Sequence, residues 1–208
     1  MILFSDRGCA FAHRVLALLD HLERSADLRE SLVGETPAGL YQYSSSGQLP
    51  LLVHGDLVLM ESRVMLEHLA EYCELEESYP ADLGARSRHR HAMAVVDGVL
   101  VPLLFGRTDV DTRRLNDVLR VLEVAFATVA PRACLLAFHV APIWLRFRLW
   151  QPAHTVTYAI QARANLCGWL DAAVQLVSLR RTAPDPATHD EDLIRARQAA
   201  LLPSDTRR

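Results

Sequence analysis

The stretch from Gly47 to Ser62, Gly-Gln-Leu-Pro-Leu-Leu-Val-His-Gly-Asp-Leu-Val-Leu-Met-Glu-Ser, constrains the fold more than any other part of the chain. Two apolar runs, Leu49 to Val53 and Leu57 to Met60, flank His54-Gly55-Asp56. Runs of this length on either side of a turn-forming Gly-Asp pair read as a tight β-hairpin. Pro50 stands at the opening of the first run, where a strand tolerates a residue without an N–H. Glu61-Ser62 closes the second run, and Val64, Met65, Leu69 and Tyr72 then recur at helical spacing. The segment therefore predicts strand, turn, strand and helix, with the helix starting at Glu61-Ser62.

The flanking sequence completes a unit. Met1 to Phe4 reads as a strand, Ser5 to Gly8 as a loop, and Val15, Leu16, Leu18, Leu19 and Leu22 as an apolar helix face. A second strand is expected over Leu28 to Val33, and one helical turn over Ala38 to Tyr43. The order β-α-β, then β-β-α, specifies a mixed sheet with helices packed on it. The acidic run Glu74 to Tyr79, closed by Pro80, reads as a linker, and strand signals stop after it. Helices are expected over Ala85 to Phe105, Thr112 to Val129, Cys134 to Arg148, Thr155 to Leu179 and Asp190 to Leu202. The predicted domains are an α/β domain at 1–77 and an all-α domain at 84–208.

Composition narrows the function classes. The formal net charge of -3 offers no basic surface for direct nucleic-acid binding. All 22 Lys+Arg residues are Arg, so Schiff-base or phosphate-loop lysine chemistry is excluded. Cys9, Cys73, Cys134 and Cys167 are too far apart in sequence for a zinc motif or a dense disulfide framework, so no metal is expected. The first residues lack the pattern of a signal peptide. The longest apolar run, Ala133 to Leu145, is too short to span a bilayer and holds His139 and Pro142. A cytoplasmic location follows as the simplest expectation. The run Arg86, Arg88, His89, Arg90 and His91 reads as a solvated helix face, and Cys73, Cys134, Cys167 and the tryptophans as core.

Two places carry chemistry. A strand-opening Pro50 can hold a cis bond and leave the backbone N–H and C=O of Leu49 open to an extended peptide. Backbone N–H groups at the helix start attract a carboxylate, Ser62 adds a hydroxyl donor, and the Glu61 carboxylate can take an ammonium group. Together they fit the α-amino-acid end of a γ-glutamyl peptide. Cys9 opens the first helix beside Arg7 and Arg14, a setting that favours a thiolate.

On these residues the chain resembles the glutathione transferase superfamily. Gly47-Gln48-Leu49-Pro50 and Glu61-Ser62 match its glutathione-binding motif, and Gly8 to Val15 resembles the Cys-Pro-Phe helix start of cysteine-type transferases and glutaredoxins. The resemblance implies a thioredoxin-like first domain followed by an all-helical one. It also implies a cis Pro50, pairing of Leu49 with the cysteinyl backbone of glutathione, Gln48 near the same ligand, and a γ-glutamyl site at Glu61 and Ser62. Catalysis, as conjugation or thiol transfer, then falls to Cys9, with Ser5 as a second candidate for contacting the glutathione sulfur; a homodimer is expected. Ala10 replaces the usual proline, and Ala12 replaces a second cysteine, which excludes a Cys-x-x-Cys cycle. The chain, mainly over residues 1 to 105, also resembles the bacterial stringent starvation protein A group, which implies as the alternative a non-catalytic regulator that binds RNA polymerase. That group carries Pro-His-Pro between its domains, where this chain has Glu74 to Tyr79. The core helix of the second domain lacks the family's Ser/Thr cap and the Asp three residues on, since Cys134 to Ala137 stand there.

Overall fold

A computed structural model describes residues 1–185 except 33, 77, 105–110, 131, 133 and 151–153. The expected last helix, Asp190 to Leu202, lies outside the described residues. The chain divides into two compact units, Met1–Cys73 with Arg181–Arg208, and Glu74–Arg180.

The first unit holds strands β1 (Ile2–Asp6), β2 (Asp27–Ser31), β3 (Leu51–His54) and β4 (Leu57–Leu59), with helices α1 (Ala10–His21) and α2 (Ser62–Tyr72). The sheet order is β2-β1-β3-β4. Strand β1 runs parallel to β2 and antiparallel to β3, and β3 and β4 form the hairpin. The turn works because Gly55 takes φ 60°, a left-handed conformation that costs glycine little.

Both faces of β1 and β3 are buried, which explains their uninterrupted apolar runs. Phe4 and Leu51 are partners across the ladder and, with Val53 and Leu40, form one cluster. Leu40 reaches that face from a short 3-10 turn, Leu40–Gln42. Leu3 and Leu52, the next pair along, point the opposite way and are also fully buried. Helices α1 and α2 supply Val15, Leu18, Met65, Leu66 and Leu69 to the core, all fully buried. Each such side chain contributes about 1.5–3 kcal/mol on leaving water.

The second unit is helical, and no strand occurs among its described residues. Its helices are α3 (Leu83–Val95), α4 (Val101–Leu104), α5 (Thr112–Phe126), α6 (Leu135–Trp150), α7 (Thr155–Gln161), α8 (Ala164–Val174) and α9 (Val177–Arg181). Helix α6 is buried on nearly every side, from Leu135 to Trp150, as a helix apolar all round must be.

Two expectations need correction here. The single helix expected over Thr155 to Leu179 is three helices. Arg163 ends the first of them: its Nη1 donates to Ala159 O at 2.8 Å and its Nη2 to Asn116 Oδ1 of α5 at 2.7 Å. The basic run in α3 is not wholly solvated, because His89 is fully buried against Thr128 Oγ1 at 3.1 Å while His91 is exposed. At the start of α6, where the family's capping groups are absent, the Leu135 N–H donates to Ser78 O at 3.2 Å. Cys134 is core, as expected, whereas Cys73 and Cys167 are half-buried.

Candidate functional site

The ladder register decides which ends of the strands meet. Phe4 pairs with Leu51, so the C-terminal end of β1 lies beside the N-terminal end of β3. Leu52 pairs with Leu59, so the end of β4 returns to the same edge. Three chain segments therefore converge at one end of the sheet: the Asp6–Ala10 loop opening α1, Gln48-Leu49-Pro50, and Glu61-Ser62 opening α2.

At the first segment Gly8 takes φ 79° and turns the chain. Cys9 is the N-cap of α1, with its backbone in an extended conformation and its Sγ accepting the N–H of Ala12 at 3.4 Å. The thiol thus takes the place that a Ser or Asp oxygen commonly holds at a helix start. It is half-buried. Burial pushes Cys134 up, and burial together with the neighbouring Asp171 carboxylate pushes Cys167 up. Ser5 is buried, and its hydroxyl donates to Asp6 O at 2.8 Å, so it faces its own backbone.

At the second segment the Leu49–Pro50 bond is cis, as the sequence suggested. Leu49 leans on the Phe4 cluster from its edge. Gln48 Nε2 donates to Glu61 Oε1 at 3.2 Å, which ties this segment to the third.

At the third segment Glu61 is the N-cap of α2 but makes no side-chain cap bond, so its carboxylate stays on the exposed surface with Gln48. Ser62 is 5% exposed, and its Oγ accepts from Nη1 of Arg14 at 3.1 Å. Arg14 is 1% exposed and its guanidinium lies 5.0 Å from the centre of the Phe11 ring. Because the guanidinium can only donate, the Ser62 oxygen is the acceptor and its own O–H stays available as a donor.

All the residues expected from the sequence thus lie at one edge of the first unit. The role of Arg14 toward Ser62 was missed. The signal was present: Arg14 stands one turn from Ala10 and one turn from Leu18, both buried, so helical periodicity already placed it on the inner face.

Comparison with known proteins bears on this arrangement. Residues 3–77 match the family described as Glutathione S-transferase, N-terminal domain. Among solved structures, an Omega 1C glutathione transferase from Trametes versicolor superposes with a TM-score of 0.77 at 16% identity, over 95% of this chain and 97% of that one. The chain has the glutathione transferase fold. A Tau class glutathione S-transferase from mango, Mangifera indica, gives a TM-score of 0.74 at 16% identity, over 91% of this chain and 94% of that one. A glutathione S-transferase from Methylobacillus flagellatus, solved with glutathione bound, gives 0.65 at 21% identity, over 88% of this chain and 98% of that one. A sequence search against curated proteins finds no match. In glutathione transferase terms, the family match spans all three converging segments. Among the described residues no helix is long and apolar enough to cross a membrane, and no group of three His, Cys, Asp or Glu side chains is placed to hold a metal ion.

Proposed function

We propose that the chain binds glutathione at this edge of the sheet and uses Cys9 for glutathione-dependent thiol transfer. The observation that carries the reading is the convergence set by the register, with the Ser62 hydroxyl turned into a donor by Arg14. The α-carboxylate of the γ-glutamyl group would meet the N-terminus of α2 and the Ser62 hydroxyl, and its ammonium group the Glu61 carboxylate. Leu49 would pair through its backbone with the cysteinyl residue, and Gln48 would flank it.

In the reaction, the Cys9 thiolate attacks the glutathione sulfur of a mixed disulfide. The old S–S bond breaks, the substrate thiolate leaves and takes a proton from water, and Cys9 becomes glutathionylated. With Ala12 in place of a second cysteine, resolution falls to another glutathione thiolate, which releases glutathione disulfide and restores Cys9. Conjugation of the bound glutathione thiolate to an electrophile is the companion reaction open to the same site. A homodimer and a reducing cytoplasm complete the reading. The RNA polymerase role draws no support from the structures compared.

Alkylation rates across a pH series, read site by site by mass spectrometry on the wild type and Cys9→Ser, test the thiol. Cys9 should react fastest of the four cysteines near neutral pH. A Cys9 that reacts no faster than Cys73 would remove the basis for thiol chemistry.

A further inference from the structure

At the far end of the hairpin, away from the Pro50 edge, His54 closes β3 and its Nδ1 lies 2.9 Å from Nε2 of His68 in α2. The ring centres are 5.2 Å apart, close to the greatest separation that such a contact allows between two imidazoles. The two nitrogens and two ring centres therefore lie nearly in line. That is the geometry of a single N–H···N hydrogen bond, in which one ring donates and the other accepts. A chelated cation would instead need both lone pairs to converge on a point off that line.

Tyr72, one turn after His68, packs its ring edge-on against His54 at 4.4 Å and stacks with His68 at 6.2 Å. Leu57 of β4 is the ladder partner of His54 and brings no charge. Partial burial, and then the positive charges of His68 and of the Met1 ammonium, hold the His54 pKa below the usual range.

We propose that the His54–His68 pair is a pH-sensitive latch between the β3–β4 hairpin and α2. The pair keeps its hydrogen bond when it is neutral or carries one extra proton, because an imidazolium donates to a neutral imidazole. The second extra proton occupies the accepting lone pair. Two N–H groups and two positive charges then face each other, and the contact opens. Proton uptake by His54 is consequently suppressed while His68 carries a charge. Sequence proximity does not hint at this, since the two rings come from a strand end and a helix interior. The latch is independent of the glutathione reading, because it joins the opposite end of the hairpin.

The unfolded chain protonates His54 below about pH 6.5 and the folded chain resists it, so the latch withdraws stability as pH falls through that region. His68→Gln tests this in the full chain: its amide N–H can donate to His54 Nδ1 but cannot take a charge. Urea unfolding from pH 7 to pH 5 should show the wild-type unfolding constant rising at least about threefold more than that of the variant. The difference is the readout, because His89 and His154 are also held low by burial and contribute their own acid sensitivity. Parallel profiles would overturn the latch. Imidazole NMR on the wild type gives a second check. A two-step titration with the second step displaced to lower pH supports it, and two independent transitions near pH 6.5 refute it.

Discussion

Ser62→Ala is the substitution on which the geometry bears most directly, because it alters stability as well as any ligand. Ser62 is 5% exposed, Arg14 is 1% exposed, and the Nη1···Oγ distance is 3.1 Å. A hydrogen bond from a charged donor is worth about 1.5–3 kcal/mol, and burial denies Arg14 water as a replacement partner for that N–H. The gain in helix propensity from Ser to Ala in the first turn of α2 is a few tenths of a kcal/mol and does not offset this. The expected loss is therefore about 1.5–3 kcal/mol, read from urea unfolding at neutral pH. Ser62→Thr keeps the hydroxyl and should cost under about 1 kcal/mol. The pairwise contribution is isolated by repeating Ser62→Ala in an Arg14→Met background, where its cost should largely vanish. A loss below about 0.5 kcal/mol, or the same loss in both backgrounds, would refute the assignment of the Arg14–Ser62 bond as a strong buried contact.

A further outcome follows from the second unit. Burial, with a smaller push from Arg88, lowers the pKa of His89 to about 4, so the folded chain leaves it neutral while the unfolded chain protonates it below about pH 6.5. Stability is therefore lost as pH falls from about 6.5 to about 4, by on the order of 3 kcal/mol in the limit, and His89→Gln should flatten that part of the urea-unfolding profile.

The first unit was legible because its signals are local. Gly55 can take the left-handed turn, the apolar runs on either side have strand length, and Glu61-Ser62 marks a helix start where the structure begins α2. The site segments could be named from sequence, but their convergence depends on the pairing of Phe4 with Leu51 and of Leu52 with Leu59, which no local pattern encodes. The second unit was less legible. The apolar spacing from Thr155 to Leu179 continues smoothly through Arg163, where the structure breaks the helix and the Arg163 side chain bonds to Asn116 of α5. Arg163 also lies 3.5 Å from Glu123, a further partner distant in sequence. The inward turn of His89 likewise depends on Thr128, contributed from just beyond the end of α5.

Calorimetric titration of reduced glutathione into the full chain tests the central reading most directly. The account predicts one saturable site per chain, with affinity falling by about tenfold or more in Ser62→Ala, as loss of a hydrogen bond to a charged carboxylate requires. Absence of binding by the wild-type chain, or equal affinity in the wild type, Ser62→Ala and Glu61→Gln, would contradict it.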